Sequence, residues 1–179
     1  VRPMGQTLLR LPIAESDIDT VYRAVGYGHV WAAPADRAVL RAALEQIETH
    51  GLRRDGFLPA LDVLASAGAE LTPADDLVLT RAALRYARAM HGQLVRFAAL
   101  EYDWALRPEP FDAAGALANA AADARLGAFL IGLPPSDFAY RTMQAALARY
   151  RAVAAAGGWP LVPSCLLYTS PSPRDMVDY

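Results

Sequence analysis

Residues 71–92 read LTPADDLVLTRAALRYARAMHG and contain the best-defined helix start of the chain. Thr72 is expected to be the N-cap, with Pro73 at the first helical position and Asp75 at the third. One face of the predicted helix is apolar and consists of Leu79, Ala82, Ala83, Tyr86 and Met90. Two further leucines flank this stripe, so the helix is expected to contact neighbours on two sides.

Similar patterns, separated by Gly and Pro, predict six more helices. They cover residues 17–25, 35–50, 57–67, 112–123, 126–133 and 136–156. Ser16 with Asp19 is expected to cap the first of them, and Gly51 is expected to end the second in the left-handed conformation. On the second helix, Leu40, Ala43, Leu44 and Ile47 form the predicted core stripe, and the predicted solvent face consists of Arg37, Arg41, Glu45 and Glu48.

The helix over residues 136–156 is the longest, and we expect it to be the central packing helix. Its apolar positions repeat at steps of three and four residues: Tyr140, Met143, Leu147, Tyr150 and Ala154. Gly157 and Gly158 are expected to stop it. A weak echo between residues 41–51 and 81–92 is compatible with a helical repeat array, but the spacing is not sustained, which favours a single domain.

Composition is consistent with this all-α prediction. Of 179 residues, 54% are hydrophobic and 20% are charged, which indicates one globular domain of the irregular multi-helix bundle type. The net charge of −2 argues against general binding of nucleic acid. No apolar run reaches the roughly 18–20 residues of a transmembrane helix.

Few side chains are candidates for chemistry. His29, His50 and His91 are far apart in the sequence and have no metal-ligand partner at short spacing. His50 and His91 precede glycines at helix ends, where a histidine interacts favourably with the helix dipole. Cys165 is the single cysteine, cannot form an internal disulfide, and is interpreted as an incidental thiol. We therefore predict no catalytic, metal-binding or cofactor-binding residues.

Three groups of polar and aromatic residues have alternative interpretations. The acidic pairs Asp17/Asp19 and Asp75/Asp76 are interpreted as helix-capping residues rather than acid–base catalysts. A row of arginines is compatible with a phosphate-facing patch, although a solvated helix face is the simpler interpretation: Arg81, Arg85 and Arg88. The tryptophans of predicted loops are expected to seal helix ends, each with a hydrogen-bonded indole N–H: Trp31, Trp104 and Trp159.

Residues 133–164, LPPSDFAYRTMQAALARYRAVAAAGGWPLVPS, closely resemble the end of the helical scaffold domain of large, multidomain bacterial murein L,D-transpeptidases, which carry a YkuD-type catalytic domain. The shared features are a Leu-x-Pro segment, a tyrosine at the helix start, and then LARYR, GGWP and Val-Pro in this order. Upstream, YGHVW, ALEQIETHGL, LTPADDLVLTRAALRYARAMHGQL and DWALRPEPFD also resemble this family. The resemblance covers residues 18–163.

The resemblance implies an architectural role in the periplasm or cell envelope. Full-length members cross-link peptidoglycan peptides through a catalytic cysteine in a Ser-His-Gly-Cys motif, and this chain lacks that motif. The expected partners are the catalytic and peptidoglycan-binding domains of the same protein, and the isolated chain is expected to be inactive. Domain boundaries are predicted at 1–163 for the scaffold and 164–179 for a disordered tail of non-native appearance, as in a truncated reading of a longer gene.

Two rival functions are open at this point. A stand-alone helical interaction module would expose an apolar groove for a partner helix. A small α-helical enzyme would require titratable side chains clustered in a pocket, for example the three histidines within a few ångströms of one another. The position of any exposed apolar patch separates the first rival from the scaffold, because a patch near residues 159–163 favours attachment of a further domain.

Overall fold

The computed structural model of the protein describes residues 13–66, 71–94 and 109–159. These residues form seven α-helices and no strand, which confirms the predicted all-α class. The helices are α1 (Glu15–Ala24), α2 (Pro34–Glu45), α3 (Leu58–Ser66), α4 (Pro73–Met90), α5 (Ala113–Ala122), α6 (Leu126–Gly132) and α7 (Phe138–Ala155). Two 3₁₀ helices, Ile47–His50 and Arg54–Phe57, connect α2 to α3.

The central helix of this fold is α4. It packs against α3 and α5 and has nine buried residues, namely Asp76, Leu79, Thr80, Ala82, Ala83, Leu84, Tyr86, Ala87 and Met90. Its predicted start is confirmed, because the Thr72 hydroxyl accepts a hydrogen bond from the Asp75 N–H at 3.2 Å. The Asp75 carboxylate in turn accepts from the Thr72 N–H at 3.2 Å, which completes a capping box.

Four of the other helices form two closely packed pairs. The most extensive contact is between α1 and α5, which is rich in alanine and therefore lets another helix approach closely. The second pair is α2 with α6, and here Gly127 allows the close approach. A Cβ at Gly127 would lie 3.2 Å from Asp36 Oδ1, and the Gly127 N–H donates to that same oxygen at 3.0 Å. Replacing this glycine would therefore crowd the contact.

The start of α1 differs from the prediction. The N-cap is Ala14 rather than Ser16, and the helix begins at Glu15. Ala14 has no side-chain acceptor, so only half of a capping box is made: the Asp17 carboxylate accepts from the Ala14 N–H at 3.1 Å. The predicted partner Asp19 instead accepts from Arg23 and from the Tyr27 hydroxyl.

The predicted helix over residues 35–50 is divided into α2 and the 3₁₀ helix Ile47–His50. Gly51 ends the 3₁₀ helix with φ +76°, in the left-handed conformation predicted for it. The predicted solvent face is only partly correct. Arg37 is buried and Arg41 is half-buried, since α2 contacts α3 as well as α6, and Arg41 donates a hydrogen bond to the Leu64 carbonyl. Glu45 and Glu48 are exposed as predicted.

The prediction that the last helix is the central packing helix is wrong. None of the residues of α7 is buried, and its main contact among the described residues is the 3₁₀ helix Ile47–His50. The predicted apolar stripe is covered along one edge only: Tyr140 and Leu147 are half-buried, whereas Met143 and Tyr150 are exposed. The helix does end where expected, because Gly157 and Gly158 have positive φ angles.

Several predicted features lie outside the described residues. These are Trp104 with most of the segment DWALRPEPFD, the end of the predicted helix 57–67, residues 160–163, Cys165 and the predicted tail 164–179. Within the described ranges, no helix is long and apolar enough to span a bilayer.

The capping box of α4 is open to a direct test. The Thr72→Ala substitution removes the side-chain acceptor for the Asp75 N–H, and we expect it to lower the free energy of unfolding by about 1 kcal/mol. Urea unfolding followed by circular dichroism measures this change. Thr142→Ala is the matched control, because Thr142 is exposed inside α7, and it is expected to change stability by less than about 0.5 kcal/mol. Equal effects of the two substitutions would contradict the capping role.

Candidate functional site

A buried carboxylate, Asp76, binds donors from two other parts of the chain. Its side chain is 1% exposed. Asp76 Oδ1 accepts from the Trp31 N–H at 2.9 Å, and Oδ2 accepts from the Val30 N–H at 3.1 Å and from the Tyr22 hydroxyl at 2.6 Å. A carboxylate buried without partners would be very unfavourable, so these bonds are what makes its position possible.

Thr80, one helical turn after Asp76, extends this arrangement. Its hydroxyl donates to the Asp76 carbonyl at 2.9 Å and accepts from the Trp31 indole N–H at 3.0 Å. Both Thr80 and Trp31 are fully buried. The predicted role of Trp31 as a hydrogen-bonded plug is therefore confirmed. We refer to Tyr22, Val30, Trp31, Asp76 and Thr80 as the Asp76 network.

The Asp76 network corrects the prediction that capping fully explains the pair Asp75/Asp76. Asp75 caps α4, but the Asp76 carboxylate joins α4 to α1 and to the loop that follows α1. Burial, followed by the hydrogen bond to Asp76, raises the pKa of the Tyr22 hydroxyl well above its usual value. Tyr22 therefore stays protonated and donates to the carboxylate throughout the physiological range.

The arginines of α4 do not form a phosphate-facing patch. Arg81 pairs with Glu15 and Arg88 pairs with Asp17, each at 2.7 Å, so both arginines bind α1. Arg85 donates to the carbonyl of Gly56 at 2.8 Å. Arg85 and Arg88 are half-buried, which also corrects the simpler interpretation of a solvated face. These side chains hold neighbouring elements against α4.

The three histidines lie in separate environments. His29 Nδ1 is 3.5 Å from Asp76 Oδ1, whereas the His91 ring stacks on Phe111 with a centroid distance of 3.6 Å. His50 contacts α7 instead, as described below. Within residues 13–66, 71–94 and 109–159, no group of three or more His, Cys, Asp or Glu side chains has the arrangement of a metal site. The small-enzyme hypothesis therefore gains no support from the part of the chain that is described.

His50 attaches α7 to the remainder of the domain. Its Nδ1 lies 2.6 Å from the Tyr140 hydroxyl and 3.1 Å from the Gln144 amide nitrogen. Because an amide N–H₂ can only donate, Nδ1 accepts and the ring is neutral in this geometry. Burial lowers the pKa of His50 and raises the pKa of Tyr140, so both groups favour their neutral forms. The Arg151 guanidinium adds a hydrogen bond to the Glu48 carbonyl at 2.6 Å.

A side of α7 next to these contacts is apolar and largely exposed. Its stripe, which we call the outer face of α7, consists of Ala139, Met143, Ala146, Tyr150 and Val153, of which Ala146 and Val153 are half-buried. Met143 is 71% exposed and Tyr150 is 61% exposed. The Tyr150 ring lies 5.5 Å from the ring of Trp159, which is itself 61% exposed. The predicted sealing role of Trp159 is therefore wrong, and the apolar surface extends past the helix end.

These features define a helical domain whose polar side chains chiefly connect its own elements. A family model described as a scaffold domain matches residues 16–147. The chain therefore belongs to the scaffold domain family, which confirms the scaffold domain expected from the sequence resemblance. No curated protein and no solved structure matches the chain significantly.

The contribution of the Asp76 network to stability can be measured by substitution. Asp76→Ala leaves the buried N–H groups of Val30 and Trp31 without their acceptor, and we expect the free energy of unfolding to fall by at least about 3 kcal/mol. Asp76→Asn keeps one acceptor oxygen and should have a smaller effect. Chemical denaturation provides the measurement. Asp62→Ala is the control, because Asp62 is exposed on α3. A loss below about 1 kcal/mol for Asp76→Ala would contradict the network's importance.

The geometry at His50 predicts that attachment of α7 weakens in acid. The pKa of His50 in the folded protein lies below its ordinary value of 6.5. The unfolded chain therefore binds more protons as the pH falls through that value, so the contribution of His50 to stability is complete above 6.5 and is lost below it. NMR titration of the His50 ring and amide protection factors in α7 at two pH values measure these effects.

His50→Gln serves as the control because a glutamine side chain does not titrate in this range. In this variant we expect the protection of α7 to be independent of pH between 5 and 8. Titration of His50 at or above its ordinary pKa, or equal protection of α7 in the wild-type chain at both pH values, would contradict the interpretation.

Proposed function

We propose that this domain is the scaffold part of a peptidoglycan L,D-transpeptidase and acts in the periplasm or cell envelope. It positions the catalytic and peptidoglycan-binding domains of the full-length protein and does not itself act on substrate. Membership of the scaffold domain family supports the general role. The ordered series of motifs from YGHVW to GGWP supports the transpeptidase context.

The observation that carries this proposal is the Asp76 network. It fixes α1, the loop containing Trp31, and α4 relative to one another through buried hydrogen bonds. The ion pair between Arg88 and Asp17 adds a second connection from α4 to α1. A frame of this kind suits a domain that holds other domains at fixed distances, because small misplacements of reacting groups reduce catalysis strongly.

The position of the exposed apolar surface favours an attached domain over a stand-alone interaction module. The outer face of α7 continues to Trp159, immediately before residues 160–163. An apolar surface at this place fits a contact with sequence that follows the helix. The stand-alone module remains the second candidate, because the stripe of α7 also extends along the helix away from residues 159–163, as far as Ala139.

The test uses the genomic sequence around this domain and the protein it encodes. We expect an in-frame Ser-His-Gly-Cys motif downstream of the GGWP segment. In that full-length protein, Asp76→Asn is expected to reduce cross-linking of intact peptidoglycan at least about tenfold, because the frame loosens. Acylation of the catalytic cysteine by a soluble tetrapeptide is expected to stay within about twofold, because it does not require domain positioning.

Asp62→Asn in the same protein is the matched control and is expected to leave both reactions unchanged. The isolated 179-residue chain is expected to form no thioester with the tetrapeptide. Absence of the motif, a product that depends on Cys165, or equal loss of both reactions in the folded Asp76→Asn protein would each contradict the proposal.

A further inference from the structure

We propose that the outer face of α7 binds an apolar helix whose flanking positions are acidic. The residues of this face recur at steps of four, three, four and three: Ala139, Met143, Ala146, Tyr150 and Val153. This spacing places them in one stripe along the helix and is the spacing of a coiled-coil seam. At 1.5 Å per residue the stripe is about 20 Å long, which is enough for four turns of a partner helix.

The stripe lacks a partner among the described residues. The neighbouring side of α7 contacts His50 through Tyr140 and Gln144, and a Cβ at Gly51 would lie 3.8 Å from the Leu147 side chain. Met143 and Tyr150 take no part in this contact and are 71% and 61% exposed. Large apolar side chains grouped on one exposed helix face indicate an interaction surface.

The sizes of the side chains favour a helix over a lipid surface as the partner. Large residues, Met143 and Tyr150, alternate with the small residues Ala139 and Ala146. The alanines leave depressions into which side chains of a partner helix fit, and the large residues supply the matching projections. Insertion into a lipid interface depends on buried apolar area, to which alanine contributes little.

The charge of α7 determines the type of partner. Residues 138–159 contain three arginines and no acidic residue, within a chain of net charge −2. Arg149 borders the outer face, and neither Arg149 nor Arg141 forms an ion pair with the described residues, whereas Arg151 donates to a backbone carbonyl. Acidic side chains on the partner would complement this charge. Two copies of α7 would instead bring like charges together, which is unfavourable.

The inference rests on the proposed scaffold function and adds the chemistry of the partner that binds the outer face of α7. It can fail separately from that function, because the binding test needs neither a transpeptidase domain nor catalysis. A chain that binds the acidic probe described below but lacks a downstream catalytic motif would support the surface and contradict the transpeptidase context. A chain that does not bind the acidic probe but has a downstream catalytic motif would contradict the binding surface and support the transpeptidase context.

The probe is a synthetic helical peptide with leucine and alanine in a coiled-coil seam and glutamate at the flanking positions. Its control is the same peptide with lysine in place of each glutamate. Fluorescence anisotropy with the full chain is expected to show binding of the glutamate peptide and at least about tenfold weaker binding of the lysine peptide. The difference is expected to shrink as salt is added, because added ions screen the charges.

Three variants locate the binding surface. Met143→Asp combined with Tyr150→Asp is expected to abolish binding, and circular dichroism should show an intact fold because both residues are exposed. Arg149→Glu is expected to weaken binding of the glutamate peptide about tenfold. Arg54→Glu is the matched charge reversal at an exposed residue of a 3₁₀ helix and is expected to have little effect.

Several results would overturn the proposal. These are equal binding of the two peptides, no binding of either, binding that none of the α7 variants changes, or stronger binding to phosphatidylglycerol vesicles than to the glutamate peptide. Self-association of the chain that the paired Met143→Asp and Tyr150→Asp substitutions abolish would also overturn it, since the partner would then be a second copy.

Discussion

The carboxylate of Asp76 is the interaction on which the arrangement of this domain depends. One buried side chain satisfies the backbone N–H groups of Val30 and Trp31 and accepts from the Tyr22 hydroxyl. These groups belong to α1 and to the loop after it, so the fixed position of α4 determines the path of the preceding chain. Burying a charge is favourable only when its hydrogen bonds are made, and that requirement leaves this region few alternative arrangements.

The described part of the molecule contains two kinds of packing. Around α4, fully buried side chains and charged contacts bind α1, α3 and α5 closely. At α7, by contrast, a few polar contacts to His50 and the Glu48 carbonyl hold a helix that has no buried residue. A well-packed body with one lightly attached helix is consistent with the proposed role of holding other domains.

Local signals predicted much of the secondary structure. The start of α4 was predictable because Thr72, Pro73 and Asp75 act on the first turn of the same helix. The left-handed end at Gly51 was predictable for the same local reason. At α1 the capping rule predicted the wrong N-cap residue, Ser16. The N-cap is Ala14, which has no side-chain acceptor, and the Asp17 carboxylate accepts from the Ala14 N–H.

The long-range contacts could not be predicted in this way. Asp76 resembles a first-turn acidic residue in sequence, and its donors lie 45 to 54 residues earlier in the chain. Thr80 lies one turn after Asp76 on the same face of α4. This second polar residue was the available signal that polar side chains on this face are buried. The regular stripe of α7 misled for a related reason: periodicity indicates that a helix has an apolar face, but not which surface covers that face.

The Asp76 network also has a consequence for how the protein is made. During synthesis, α1 and the loop containing Trp31 leave the ribosome well before the segment that begins at Thr72. Until Asp76 and Thr80 emerge, the Val30 and Trp31 N–H groups and the Trp31 indole lack the acceptors they have in the finished domain. We therefore expect the segment from α1 to the loop containing Trp31 to lack its native packing until α4 is available, so that this part of the domain folds in one late step rather than helix by helix.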